Sequence, residues 1–342
     1  MVFSRFNKRK GLLSLVGAAL VAGSFGLGMV GNVEATSLVW NGDSGCNIQT
    51  KIDSLHYEFP GGPDTLFVAA DFGTSPTAPY YESLVINDPD GLVMLHVDDS
   101  FVLQGPESAV FTSVTSGVPA LTFYDTEENT EVQGFTFIGG DMSTGSSVRF
   151  GETIVGGRGG DGILYDCIVK GSYWGAYIVN ESNPHFESVL FSDNGNLNGR
   201  LNEGSEPLVR NCYFALPSSK MMESPEGSKE ATFYHLSFGT ESALADGSTG
   251  NTFESGSGKN FSWAHTRNAN FSLDLYIGGN DFTSDCPDSL KFENVGGAYT
   301  EFRPWIDSNG VPQWDCDDPT SVEIESWGQM KQSWSILKEV YR

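Results

Sequence analysis

The chain has 342 residues and sets 19 Lys+Arg against 44 Asp+Glu, a net charge of −25. A field of that sign repels nucleic acid and acidic membrane surfaces, and also polyanionic sugars unless a metal bridges them. With 41 Gly, 23 Phe and long Asn/Ser/Thr/Asp stretches between short apolar runs, the composition argues against long helices before the C-terminus and for many short strands joined by turns.

The first residues read as an export signal. Arg5, Lys8, Arg9 and Lys10 form a basic start, Gly11 to Val30 is apolar, and Val33-Glu34-Ala35 places a small residue before Thr36. Cleavage is expected after Ala35, which leaves 15 Lys+Arg against 43 Asp+Glu, a net of −28. The competing expectation is an uncleaved anchor, since about 20 apolar residues can span a bilayer. A secreted, periplasmic or cell-surface location follows from the signal reading. All five cysteines, Cys46, Cys167, Cys212, Cys286 and Cys316, then lie in a compartment that permits disulfides. Their spacing fits no CxxC-type metal pattern, and no metal ligands are assigned.

The centre of the chain repeats. Leu164-Tyr-Asp-Cys167-Ile-Val169, Phe186-Glu-Ser-Val189-Leu-Phe191, Val209-Arg-Asn-Cys212-Tyr-Phe214 and Phe233-Tyr-His-Leu236-Ser-Phe238 each carry apolar residues at places one, four and six. Their last residues are 22, 23 and 24 apart, and Phe261 continues the series 23 further on. Units of that length with strands of three to six residues cannot bury a face alone. Stacked as coils about 4.8 Å apart, they form a continuous apolar interior in which like residues lie on like. Cys167 and Cys212 then share a slot with Val189 and Leu236, buried and reduced, because two coils separate them by about 9.6 Å and a disulfide needs Cα atoms within roughly 7 Å. Cys286 and Cys316, outside the regular coils, are the pair expected to bond. Leucine-rich repeats share the period but need an L-x-x-L-x-L signature that is absent.

Asn180-Glu-Ser-Asn-Pro-His-Phe-Glu-Ser-Val-Leu-Phe-Ser-Asp-Asn194 resembles a repeat unit of the pectin-lyase-like right-handed β-helix proteins, and Glu203-Gly-Ser-Glu-Pro-Leu-Val-Arg-Asn-Cys-Tyr-Phe214 is a second copy. Ala120-Leu-Thr-Phe-Tyr-Asp125 and Val132-Gln-Gly-Phe-Thr-Phe-Ile-Gly-Gly140 are similar to the family's early coils. Ile48-Gln-Thr-Lys-Ile-Asp53, before Asp64-Thr-Leu-Phe-Val-Ala69 and Tyr81-Glu-Ser-Leu-Val-Ile-Asn87, resembles its capping helix and first coils. The resemblance spans roughly residues 45 to 280. It implies an all-β fold, a right-handed parallel β-helix over 36–285 with a short N-terminal cap helix. One such fold hosts lyases, hydrolases, epimerases and non-catalytic binders, so it assigns no activity.

Residues 286–342 differ in character. Trp305-Ile-Asp-Ser-Asn-Gly-Val-Pro-Gln-Trp314 carries Asn309-Gly310 between strand-like flanks, which predicts a hairpin. Trp327, Met330, Trp334, Leu337 and Tyr341 then form one stripe of an amphipathic helix. A solenoid needs terminal covers, so this segment is read as a cap; Lys331, Lys338 and Arg342 leave an export or attachment tail as the other reading.

Catalysis needs a base, an acid and charge stabilisers on one outer face. Asn183-Pro-His-Phe-Glu187 resembles the Asp-Pro-His-Asp/Glu motif of alginate epimerases, with Asn183 replacing the Asp and Phe186 inserted before Glu187. The polygalacturonase pattern is missing beyond Asp98-Asp99. If the chain is a lyase or epimerase of a uronic-acid polymer, His185, Glu187, Lys170 and Arg210 are the candidates. The non-catalytic alternative is a carbohydrate-interacting or structural protein. There the second-place row Tyr165, Glu187, Arg210 and Tyr234 projects outward with Tyr213 nearby, a set of aromatics on which sugar rings of an extracellular polysaccharide or cell-surface glycan could stack. No cofactor is expected. Calcium is the one ion worth testing, at Asp307-Ser-Asn-Gly310 and Asp315-Cys-Asp-Asp318, although Pro312 stands where an EF-hand beginning at Asp307 requires Gly.

Overall fold

The computed structural model describes residues 37–313, apart from 41–46, 59–63, 70–79, 140–144, 218–232, 255–260, 267–274, 284–291, 294–299 and several shorter stretches. The expected signal segment, Cys46, Cys286, Cys316, Asp315–Asp318 and the expected C-terminal helix lie outside the described residues.

Three parallel sheets of short strands run through the protein, and from Asp64 to Phe238 the chain visits them in the repeating order A, B, C, which makes it a parallel β-helix. Sheet A holds seven strands from Ser37–Trp40 to Leu208–Arg210, sheet B seven from Tyr80–Tyr81 to Thr252–Phe253, and sheet C eight from Leu84–Ile86 to Phe292–Glu293. That last rung of sheet C lies beyond position 285, where the sequence reading ends the solenoid.

Alternation along each strand sends one column of each sheet inward. Leu66, Met94, Val132, Leu164, Phe186 and Val209 stack in sheet A, and Phe111, Phe137, Val169, Phe191, Phe214 and Phe253 in sheet B. All of them are buried. The rings of Phe191 and Phe214 lie parallel at 4.8 Å between centroids, and those of Phe214 and Phe253 at 4.6 Å. Such offset pairs add to the area burial of the rings themselves.

The corner from sheet A to sheet B is one residue in the left-handed region. Gly134, Asp166, Ser188 and Asn211 fill it on successive coils, with φ of 84°, 49°, 59° and 52°. Gly, Asn and Asp are the residues that reach this region at least cost. Each corner amide donates to the next coil, Asp166 N to Glu187 O at 3.0 Å and Ser188 N to Arg210 O at 3.1 Å, so the corners propagate the stack. The residue after the corner, Phe135, Cys167, Val189 or Cys212, points inward and is buried.

The fourth aligned segment does not belong to this series. Phe233–Phe238 is a strand of sheet C, paired with Leu197–Leu201 and Phe261–Thr266. Leu236, Phe238 and Phe261 are therefore not successors of Cys212 and Phe214. The true next copy is Ser248-Thr-Gly-Asn-Thr-Phe253, with Gly250 at the corner (φ 76°), Asn251 in the slot of Cys212, and Phe253 under Phe214. Ile277 to Phe282 repeats it with Gly279 and Asn280, and Asn251 Nδ2 donates to Asn280 Oδ1 at 3.0 Å.

The helix Ile48–Glu58 covers the first coils by burying Ile48, Ile52 and Leu55. Asn47 caps it through Oδ1, which accepts from Thr50 N at 2.8 Å, and the Glu82 carboxylate accepts from Ile48 N and Gln49 N. Gln49 also occupies the backbone of Val85 on the terminal strand of sheet C, accepting from its N at 2.7 Å and donating to its O at 2.9 Å. At the other end Trp305–Ile306 pairs antiparallel with Pro312–Gln313, the hairpin that Asn309-Gly310 predicts. Among the described residues no helix is long and apolar enough to cross a membrane.

Candidate functional site

The structure divides the residues singled out by sequence between different faces. Gln133, Tyr165, Glu187 and Arg210 do form one outward row on sheet A, in direct register, and Tyr165 is exposed. Tyr234 is not part of it. It sits on sheet C in register with Leu197 and Ser262, on the strand that follows Tyr213–Phe214 of sheet B. Tyr213 is half-buried on sheet B beside Leu190 and Thr252.

The four catalytic candidates also separate. Lys170 lies on sheet B in register with Ile138 and Ser192. His185 and Glu187 share a strand of sheet A, with His185 Nε2 3.3 Å from Glu187 Oε2 but without hydrogen-bond geometry. Glu187 Oε1 accepts from Asn211 Nδ2 at 2.6 Å, and Arg210 Nε donates to Gly247 O at 3.1 Å, so the carboxylate and the guanidinium are each engaged with a neighbour in the turns. The same face is electronegative. Burial raises the carboxyl groups of Asp166 and Glu131 above their ordinary values, and burial together with Asp166, Glu187 and Glu131 raises the Tyr165 phenol.

Among the described residues no three His, Cys, Asp or Glu side chains gather as a metal site. Asp307 is used by the hairpin, its Oδ1 accepting from Val311 N at 2.8 Å and its Oδ2 from Gln313 Nε2 at 2.9 Å.

Sheet C carries a different constellation. Its strands Ser146–Phe150, Trp174–Ile178 and Leu197–Leu201 are five residues long, and alternation turns Val148/Phe150, Ala176/Ile178 and Gly199/Leu201 inward. Arg149, Tyr177 and Arg200 then follow one another outward on consecutive rungs. The Arg200 guanidinium carbon lies 4.2 Å from the centroid of the Trp174 ring and 5.1 Å from that of Tyr177. Trp174 contacts Tyr173 and Tyr177 with centroids 5.5 and 5.1 Å apart. The Tyr177 hydroxyl accepts from Asn202 Nδ2 at 3.3 Å.

Close backbone approach positions the tryptophan. A Cβ at Gly175 would stand 2.5 Å from Asn198 O and 2.7 Å from Asn194 Nδ2, so only glycine lets this strand lie against its neighbour with Trp174 on the outer side. On the next rung back, Arg149 is half-buried, its Nε has no hydrogen-bond partner, and burial lowers its guanidinium from the ordinary value against the opposing pull of Tyr177 and Glu152. Arginine remains charged through such a shift.

The geometry therefore supplies aromatic faces beside two fixed cations in a chain dominated by carboxylates. Sequence reasoning missed it by following only the six-residue template of sheets A and B. The period itself carried the signal, since Arg200 follows Tyr177 by 23 residues, one coil. Comparison with protein-family models, with characterised proteins and with solved structures finds no match.

Proposed function

We propose that the protein is an exported, non-catalytic carbohydrate-binding β-helix, related in architecture to the pectin-lyase-like proteins it resembles, and that the saccharide lies along the outer face of sheet C. The observation that carries this reading is the Arg200 guanidinium held over Trp174 and Tyr177. Rigid aromatic rings offer sugar C–H faces a large apolar contact with few rotors to freeze, and a guanidinium already oriented by cation–π contact reaches saccharide oxygens at little further entropic cost. Sheet A supports binding less well, because the neighbours of Tyr165 on its outer row are Gln133 and Glu187, with no ring on either adjoining rung.

Lyase or epimerase chemistry is the weaker reading. Proton abstraction beside a carboxylate needs a base and a counter-charge around one point, and Lys170, His185, Glu187 and Arg210 lie on two sheets with Glu187 and Arg210 already engaged.

The test is affinity electrophoresis of the full chain and of Trp174→Ala and Tyr165→Ala through gels containing neutral and acidic polysaccharides. Retardation abolished by Trp174→Ala and kept by Tyr165→Ala supports the sheet C site. Retardation sensitive to Tyr165 alone moves the site to sheet A, and none with any polymer rejects the function.

A further inference from the structure

Independently of the saccharide reading, we infer that the N-terminal end of the solenoid is a contact between two copies of this chain, their Ser37–Trp40 strands pairing antiparallel across a twofold axis at Val39. The observation is how differently the three sheets end. A terminal strand offers a row of unpaired N–H and C=O groups to any other strand, and proteins block such edges with side chains, charge, proline or brevity. Sheet C is blocked, since Gln49 takes both the N–H and the C=O of Val85 on its terminal strand. Sheet B ends on Tyr80–Tyr81, a strand of 2 residues. Sheet A ends on Ser37-Leu-Val-Trp40, which has neither charge nor proline, pairs with Asp64–Ala69, and has no described strand on its other side.

The outer face of that end is apolar. Val39, Phe67 and Leu95 stand in register on the first rungs of an outward column that turns polar at Gln133, and Val39 is 45% exposed. Beside them is a turn closed by Asp98, whose backbone O accepts from Phe101 N and whose Oδ1 accepts from Val102 N, both at 2.9 Å. It sets the Phe101 ring edge-on against Phe67 with centroids 5.4 Å apart. Phe101 holds a φ of 58°, costly for a bulky side chain, while remaining exposed, and Val102 is exposed next to it. Charge selects the occupant. A partner drawn by the field of a chain of −25 would carry cations, but Ser37–Trp40, Thr65–Ala69, Val93–Val97 and Phe101–Gln104 contain no Asp or Glu to pair with them, and no Lys or Arg. Two copies of an anionic chain approach each other best across such an uncharged surface. Identical edges that meet with the same face outward run antiparallel, and this pairing satisfies both strands by symmetry and closes the contact at two copies. The apolar strip then continues from Leu95, Phe67 and Val39 of one copy into Val39, Phe67 and Leu95 of the other.

The experiment is sedimentation equilibrium of the full exported chain over a wide concentration range. A dimer is expected. Val39→Lys, which sets two like charges at the axis, should weaken it at least about tenfold without moving the thermal midpoint of the dilute chain. Ile154→Lys, at a residue still more exposed but in the turn after Ser146–Phe150, should leave the dimer intact. Directly opposed residues of an antiparallel pair have Cα atoms about 4.5 to 5.5 Å apart, within disulfide range. Val39→Cys should therefore link two chains through position 39 on mild oxidation, a result that stands even where the Lys variant misfolds. A monomer at every concentration overturns the inference, and so does an assembly larger than two. A dimer that Val39→Lys leaves unchanged and Val39→Cys does not link overturns it equally.

Discussion

Asn198 Nδ2 lies 2.9 Å from His235 Nδ1, and the opposite ring nitrogen of His235 lies 2.8 Å from Glu254 O, so a fully buried imidazole is held as the neutral Nε2–H tautomer. The direction of the chain is set by its members. Asn198 also donates to Ala215 O at 2.7 Å, and its Oδ1 accepts from Asn194 Nδ2 at 3.0 Å, so its amide has no way to turn and meet a protonated Nδ1 without losing both. This network ties the corner between sheets B and C directly behind Trp174 and Arg200.

Acidification should cost stability through this histidine. Burial depresses its pKa from 6.5 to about 4. With the folded value below the unfolded one, the unfolded chain binds the extra proton first. The stabilising contribution is whole above pH 6.5 and is lost as pH falls toward 4, by up to about 1.4 kcal/mol per pH unit. The raised carboxyls of Glu131, Asp161, Asp166 and Asp281 act in the opposite sense over acidic pH. The comparison is therefore urea unfolding of wild type against His235→Gln between pH 7 and 4. The variant should show a pH slope shallower by about 1 kcal/mol per unit; identical slopes would refute the buried neutral histidine.

Phe214→Ala should destabilise by roughly 3 to 5 kcal/mol, because it empties the place between the parallel rings of Phe191 and Phe253. Tyr213→Arg, one residue away on the outer side of sheet B, should shift the denaturation midpoint little. Comparable shifts from the two substitutions would reverse the inward and outward assignment.

Cys167 and Cys212 should be inert toward thiol reagents in the native state. Both are buried and free, and burial pushes their thiols up to about 12, while the thiolate is the reactive form. Labelling of these two residues should appear only with global unfolding. Native labelling at neutral pH, or a peptide joining Cys167 to Cys212, would break the register of the coils.

Much of this architecture could be read from the sequence because the corner between sheets A and B demands a particular residue type. Gly134, Asp166, Ser188 and Asn211 stand at the third place of their segments and all have positive φ. The misassigned segment has the same apolar spacing, but its third place is His235, inside a continuous strand. Apolar period alone could not separate the two cases, whereas the corner residue could. Conversely, Ser248–Phe253 escaped notice because Asn251 fills an inward slot that Cys and Val fill elsewhere, its side chain donating to Val209 O and Asn280 Oδ1 instead of packing as an apolar group. The sheet C face was illegible for a different reason. Trp174 and Arg200 meet across coils, and only the register of the sheet brings them together.

Alginate and polygalacturonate should remain uncleaved even with millimolar Ca²⁺. No ultraviolet absorbance from an unsaturated product is expected, since the candidate base and counter-charges do not converge and the polymers are repelled. Product formation lost on His185→Ala, Lys170→Ala or Arg210→Ala would restore the enzymatic reading.

The most direct test of the binding face is a crystal structure of the full chain with an oligosaccharide cut from the polysaccharide that retards it most strongly in affinity electrophoresis. Sugar rings should stack on Trp174, beneath the reach of Arg200, and continue along the column of Tyr177 and Arg149. Sugar seated instead on the Tyr165, Glu187 and Arg210 row of sheet A would contradict the assignment.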